Sequence, residues 1–509
     1  MKTLEPNDIK KTIGSAGLSG VGIIFSFGVR FITSIVITRF LGPQLYGIFV
    51  LASNVSAIGQ VLSISGLERG VQRFVSFYQG QERPGEARRT VVLGTVITAV
   101  ISPFITVLLY VLASPIAIRI FRNPDLAVVI QILAFSIPFG ALGAIWLHAI
   151  QGYKKIGHQV LIEDFLSSLI QLALIVLVLF LGGKLRGISL ATVLASAATC
   201  ISAIFFLKKN FSIWEKTNFF FNWELVSFSI PLFFVSILNF FLNRADVLML
   251  GYFRAASEVG IYFIAFRISL LVLFPLNAFG PIFGPMMSEF FGRNEIQRME
   301  ELFKVITKWV VSLSIPILVT VLIFRSQILS MFGPQFVTGS SAVAFLGMAQ
   351  FINCSAGHAG LLIIMAGYPR INLVNSLILL CCNIVLNYLL IPPYGLLGAA
   401  IATGASIITI NVIRVIEVYF LLRFHPYSLR FIKPLLAGAI SILITFIIKD
   451  LLGEAHKIIL ILEILGSISL YGVVLWFLKV DEEEKIILDS IIKRLRRVVL
   501  PDGMQKGTG

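Results

Sequence analysis

The chain is 509 residues long, 57% hydrophobic and only 13% charged, with a mean hydropathy of +0.93. Soluble domains carry roughly 45–50% apolar and about 25% charged residues, so a soluble globular protein is excluded. The net charge of +15 sits in short gaps between apolar runs, which speaks for membrane topology and against nucleic acid as a partner.

A spanning helix needs about 20 mostly apolar residues. Taken in chain order, fourteen runs qualify: 14–38, 44–66, 91–114, 125–150, 160–182, 187–207, 225–251, 259–282, 305–324, 338–366, 372–391, 395–421, 433–452 and 458–479. Pro138, Pro231, Pro275 and Pro316 fall within spans, which bundle helices tolerate when neighbours satisfy the freed backbone groups. The first run has no small-residue cleavage pattern and continues into Arg39-Phe40-Leu41-Gly42-Pro43, so it reads as a retained span. With the N-terminus in the cytoplasm, 27 of the 41 basic residues fall on the inside, nine outside and five within spans. This asymmetry predicts a multi-pass protein with both termini cytoplasmic.

Two connecting pieces are amphipathic. After span 2, Leu67, Val71, Phe74 and Tyr78 form an apolar stripe with Arg69 and Arg73 beside it. In the tail, Leu488, Ile491, Ile492, Leu495, Val498 and Val499 form another, with Lys493, Arg494, Arg496 and Arg497 off it. Both patterns predict helices resting on anionic lipid.

The chain also repeats itself. Phe40/Phe253, Gly47/Gly260, Ile48/Ile261 and Ala52/Ala265 match at an offset of 213. Gly152-Tyr153 answers to Gly367-Tyr368 at 215, and Gly187, Ala191 and Thr192 answer to Gly398, Ala402 and Thr403 at 211. Each match alone is weak, but three in order at nearly one offset define a six-helix repeat. An even number of helices returns the chain to the same side, so the two halves are expected to be parallel. The predicted fold is therefore all-α: a six-helix bundle at 1–221, a second at 222–432, additional helices 13 and 14 at 433–479, and an amphipathic cytoplasmic tail at 480–509.

The turn Thr38-Arg39-Phe40-Leu41-Gly42-Pro43-Gln44-Leu45-Tyr46-Gly47 resembles the start of polysaccharide and oligosaccharide flippases of the multidrug/oligosaccharidyl-lipid/polysaccharide (MOP) exporter superfamily. The segment Ile391-Pro392-Pro393-Tyr394-Gly395-Leu396-Leu397-Gly398-Ala399-Ala400-Ile401-Ala402-Thr403 is similar to their C-terminal half, as is the Gly66–Phe74 stretch to the region after their span 2. The resemblance covers about residues 10–425. It implies a two-bundle transporter of the cytoplasmic (inner) membrane that moves polyprenyl-linked sugars by alternating access, driven by an ion gradient or the membrane potential. Its implied partners are the lipid-linked oligosaccharide, membrane lipids and glycan polymerase or ligase machinery, with the chain itself a monomer. Fourteen spans are also similar to the lipid II flippase branch, which leaves a peptidoglycan precursor as an alternative cargo.

Ionisable groups inside spans are costly and so mark function by default. Counting at 1.5 Å per residue, Arg30, Arg244 and Arg267 all lie about 12 Å below the outer face, on the first helices of both halves. Three guanidiniums at one depth suit an anion in a central cavity, and a lipid pyrophosphate is the anion that the resemblance supplies. The alternative is that each snorkels or pairs with a neighbour. Asp246 is grouped with this cavity, either neutralising an arginine from another helix or serving as a proton or cation site. Arg414 and Glu417, three apart on span 12, are a cavity pair or a local ion pair. Glu68, Arg69 and Arg73 are candidates for an inner gate that gathers the substrate's phosphates. Glu163, Asp164 and Lys308 read as interfacial charges, and Asn239, Asn243, Asn383, Asn387 and Asn411 as cavity polar groups or interhelical glue.

Enzyme classes find little support. Gly182-Gly183-Lys184-Leu185 is not a Walker A loop, the five histidines are scattered, and the four cysteines lack ligand or disulfide spacing. The sequence therefore predicts a transporter without cofactor or metal. A drug–cation antiporter of the same superfamily would want acidic cavity residues, and span 1 offers Arg30 and no carboxylate.

Overall fold

The computed structural model describes residues 6–210, 221–452 and 457–477, all of whose regular elements are helical. The amphipathic tail expected at 480–509 lies outside the described residues.

Among the described residues, ten helices are long and apolar enough to cross a bilayer. Two of them, Gly20–Ile64 and Pro369–Leu422, run for 45 and 54 residues, about twice what one crossing needs. Each breaks at a glycine with positive φ, Gly42 (67°) and Gly395 (56°), flanked by Pro43 and by Pro392-Pro393. Glycine takes that conformation without a Cβ clash, and proline removes the amide that would continue the ladder. Read as two spans each, and joined by Ile432–Leu452 and Lys457–Phe477, they account for fourteen crossings. The chain is a polytopic all-α membrane protein. Pro231 and Pro316 sit inside helices, whereas Pro138 and Pro275 lie in the first turns of helices that start afresh at Ser136 and Phe274.

The contacts fall into two compact units. The first holds the described residues up to Ser269 together with Ser326–Ala349 and Tyr368–Ile410. Its core brings Leu67, Val71, Phe74 and Tyr78 of the short helix Leu67–Gly80 against Ile145, Ala149, Leu207 and Leu225. The amphipathic stripe after span 2 is thus covered by protein and not by lipid. The spacing of apolar residues fixes which face is apolar, but a lipid tail and a leucine satisfy that face equally.

Within the same unit the repeat halves touch. A Cβ on Gly47 would lie 1.7 Å from the Ala256 carbonyl oxygen, and one on Gly260 would lie 2.4 Å from that of Pro43. The matched glycines therefore let two backbones cross in direct contact. Around the crossing, Ser257 N–H donates to Gln44 Oε1 (3.1 Å), and Leu396 N–H donates to Glu258 Oε2 (2.8 Å). The Arg39 guanidinium donates to the carbonyls of Ser330 and Met331 (2.9 and 2.7 Å), and Arg254 donates to those of Ile391 and Pro392 (3.3 and 2.5 Å). Carbonyls freed at helix ends and kinks are good acceptors for such cations.

The second unit comprises Leu270–Arg325, Gln350–Gly367 and the described residues from Asn411 onward. Val311, Ile315 and Val319 pack with Phe431, Ala437 and Tyr471, which ties the two C-terminal helices to Ile296–Ile323. Lys308, expected at an interface, is instead 1% exposed in this unit. Arg414 and Glu417 also belong here.

Candidate functional site

The first unit contains a cavity of about 320 Å³ lined by Arg30, Arg244 and Arg267 together with Ser34, Asn54 and Phe263. Helix geometry brings the three arginines together. Arg30 lies twelve residues before the Gly42 break, Arg244 ten before Arg254, and Arg267 eleven after Ala256, so all three stand roughly 15–18 Å from the Gly47–Gly260 side. No Asp or Glu is among its described lining residues.

The three cations are held differently. Arg267 donates through Nη1 to Ser34 Oγ, whose own hydroxyl donates to the Arg30 carbonyl (2.8 Å). Arg244 and Arg267 sit over the Phe263 ring, with guanidinium carbons 5.9 and 5.5 Å from its centroid. The ring's electron-rich faces offset some of the repulsion between the two like charges. Tyr46 closes the wall beside Phe263 (centroids 6.4 Å apart). Arg30 is exposed, and its guanidinium makes no hydrogen bond or ion pair among the described residues. Such a pocket offers planar fork donors and a polar wall of Asn54, Gln171 and Thr192, with no carboxylate among its described lining residues; its chemistry suits a phosphate ester carrying a sugar.

Asp246 is not among the lining residues. It is two positions from Arg244 on the same helix, which turns it to the other side of that helix. There it is 5% exposed and accepts from Tyr262 Oη, from Thr403 Oγ1 (3.4 Å) and from the Val247 N–H (2.8 Å). Asn383 donates to Thr403 Oγ1 (3.3 Å), and Asn387 donates to the Asn383 side chain (2.9 Å). Carboxylate, hydroxyls and amide oxygens so grouped can hold a proton or a small monovalent cation.

The remaining sequence candidates lie elsewhere. Arg73 lies over the Phe228 ring at 4.3 Å, in a shallow pocket with Glu224, Ser227 and Pro231 at the start of Trp223–Phe253. Arg69 is exposed, and Glu68 is half-buried with Oε2 lacking a hydrogen-bond partner. Arg414 is half-buried in the second unit, its Nε near Gly360 and within the field of Glu417. Asn243 donates to the Asn239 carbonyl, a local helix bond. Asp164, read from sequence as an interfacial charge, packs on span 1 instead, with Ser26 Oγ donating to its Oδ1 (3.2 Å).

Sequence reasoning missed Phe263, Tyr46 and Ser34, and it missed the partners of Asp246. Aromatic and small polar residues are too common in membrane helices to single out. The available signal was spacing: Phe263 stands four residues before Arg267, on its face of the helix.

Comparison with known proteins adds likenesses of sequence and of fold. The family model described as polysaccharide biosynthesis protein matches residues 14–291, and one described as MatE matches residues 231–389. The chain is 23% identical over 390 residues to the probable low-salt glycan biosynthesis flippase Agl15 of Haloferax volcanii, across 75% of this chain and 78% of that protein. It is 26% identical over 252 residues to the probable flippase AglR of the same organism, across 47% of this chain and 51% of that one. Among solved structures it is similar to the lipid II flippase MurJ in an inward closed conformation. The TM-score is 0.71 at 15% identity, over 93% of this chain and 99% of that chain, a likeness of fold.

Proposed function

The chain belongs to the polysaccharide biosynthesis protein family, and from that premise we propose that it is a flippase carrying a polyprenyl-pyrophosphate-linked oligosaccharide across the cytoplasmic membrane. One observation carries this reading: three guanidiniums from both repeat halves line a single cavity with no Asp or Glu among its described lining residues. A guanidinium pair or triplet binds a dianion through parallel hydrogen bonds, and the three positive charges repel an organic cation. The name of Agl15, a probable low-salt glycan biosynthesis flippase, supports the same class of cargo, and that of AglR, a probable flippase, supports the same activity.

In the proposed cycle both termini face the cytoplasm, and the lipid-linked oligosaccharide enters there past Glu68, Arg69 and Arg73. The pyrophosphate docks on Arg30, Arg244 and Arg267, with Asn54, Gln171 and Thr192 toward the first sugar. The polyprenyl tail stays in the bilayer. Rocking of bundle 1–221 against bundle 222–432 separates the Gly47–Gly260 crossing and opens the cavity outward. Protonation or cation binding at Asp246, linked through Tyr262 and Thr403 to the helix that carries Arg267, couples the step to a gradient. The protein works as a monomer and delivers its cargo to glycan polymerase or ligase machinery.

The test is binding of a short polyprenyl-pyrophosphoryl oligosaccharide to the purified protein, with an organic cation and a peptidoglycan-type lipid precursor as competitors. Arg30→Ala, Arg244→Ala and Arg267→Ala should each weaken binding about tenfold, or 1.4 kcal/mol. Competition by the precursor alone would redirect the cargo assignment to peptidoglycan-type lipids. Binding of the cation, with no effect of the arginine variants, would exclude a flippase of this kind.

A further inference from the structure

Asp164 belongs to the helix that begins at Ile156, within a membrane span. Its local backbone departs from the α-helix: Leu161–Leu166 is a π-helical turn, a widened turn that is rare and recurs at functional sites. The turn faces span 1 at close quarters. Phe165 stacks on Phe25 with centroids 4.4 Å apart, and a Cβ on Gly22 would come within 2.9 Å of Asp164 Oδ2. Gly22, Ser26 and Arg30 follow one another at four-residue spacing, so they lie on one face of span 1. Because Ser26 reaches Asp164, the carboxylate stands one helical turn from Arg30 along span 1.

Both charges are under-satisfied. Among the described residues Asp164 accepts one side-chain hydrogen bond, from Ser26, and that hydroxyl is shared with the Ile23 carbonyl at 3.1 Å. A carboxylate has about four acceptor sites. Its neighbour Glu163 accepts a hydrogen bond from Gln159 Nε2 (3.0 Å). The Arg30 guanidinium has no hydrogen-bond or ion-pair partner among the described residues. A carboxylate that only glued two helices together would be matched to more than half a serine hydroxyl, given its cost inside the bilayer.

We infer that Asp164 is the release partner of Arg30: it competes with the bound phosphate for the same guanidinium and takes it over when the anion leaves. This rests on the anion site proposed above. A site of three cations that bound a pyrophosphate without a competitor would hold its cargo too long to turn over. A carboxylate one turn away, tethered loosely by Ser26, keeps the unloaded state stable and lowers the affinity of the loaded one. Asp164 acts through Arg30 and is a positioning residue, not a substrate ligand.

The experiment measures the affinity and dissociation rate of a short-chain polyprenyl pyrophosphate on the full-length protein. Asp164→Asn keeps the size and the Ser26 hydrogen bond but loses the charge. It should bind about tenfold more tightly and release the probe more slowly, a gain that a packing defect does not produce. Ser26→Ala frees the carboxylate to reach Arg30 and should shift affinity the other way, about threefold weaker. Asp164→Glu should restore wild-type release. In an Arg30→Ala background, Asp164→Asn should change nothing. Unchanged or weaker binding by Asp164→Asn, while Arg30→Ala alone weakens it, would overturn the proposal and leave the anion site standing. Equal tightening with and without Arg30 would overturn it as well. If Arg30→Ala binds the probe like wild type, the anion site itself fails and this role falls with it.

Discussion

Arg244 and Asp246 are two residues apart on one helix and project into polar regions of opposite character. On one side lies a cavity with three cations, no anion and one guanidinium without a partner among the described residues. On the other lies a single carboxylate, 5% exposed, with two hydroxyls and a backbone amide as donors. A buried charge is stable when its lone pairs or protons are matched. The carboxylate region meets that condition within the protein. The arginine region gathers three like charges with no Asp or Glu among its described lining residues, and that imbalance is the physical reason to expect an anionic ligand there. The contrast also separates the roles proposed above, cargo binding at the arginine cavity and response to a proton or ion at Asp246.

The comparison can be broken most severely at the crossing from which both regions are measured. Gly47→Val would place a Cβ 1.7 Å from the Ala256 carbonyl oxygen, so the two repeat halves cannot close. Overpacking of this kind costs about 1–3 kcal/mol or more, and thermal unfolding in detergent should register it together with loss of transport. Next in size is the double variant Arg30→Ala/Arg267→Ala. It should weaken polyprenyl-pyrophosphate binding about a hundredfold, near 2.8 kcal/mol, without a comparable fall in melting temperature. Arg267→Lys should recover only part of the loss, because an ammonium cannot make two parallel bonds to a phosphate.

Asp246→Asn sharpens the contrast from the other side. It should leave anion binding within about threefold of wild type but remove the response of transport to an imposed proton or cation gradient, and lower stability by about 1–3 kcal/mol as an amide NH2 replaces one of the two oxygens that accept from Tyr262, Thr403 and the Val247 N–H. Calorimetric binding beside gradient-driven uptake reads both effects. The smallest effect is expected for Phe263→Ala. Without the ring between Arg244 and Arg267, two cation–π contacts of about 0.5–1 kcal/mol each disappear, and affinity should fall a few-fold; Phe263→Trp should restore it.

Much of this was legible in the residues. Span length is a direct consequence of bilayer thickness, and Gly42 and Gly395 mark their own breaks through the prolines beside them. The common depth of Arg30, Arg244 and Arg267 followed from counting residues to the nearest turn. Rotation about each helix axis did not follow, because it depends on which helices are neighbours. Counting along the helix therefore groups Asp246 with the cavity although it faces Tyr262, and it does not reveal that a π-helical turn seats Asp164 on span 1. The helix Leu67–Gly80 failed for a related reason: its apolar face was correct, but apolar periodicity does not distinguish a lipid surface from Ile145 and Leu225.

The most direct measurement is translocation by purified protein in sealed vesicles loaded with a polyprenyl-pyrophosphoryl oligosaccharide, read by the accessibility of the sugar to an impermeant oxidant. Wild-type protein should expose the inner-leaflet pool far faster than protein-free vesicles, and Arg30→Ala/Arg267→Ala should run near the protein-free rate. If wild type does not accelerate exposure, or the double variant matches wild type, the three-arginine cavity is not a site for a lipid-linked pyrophosphate.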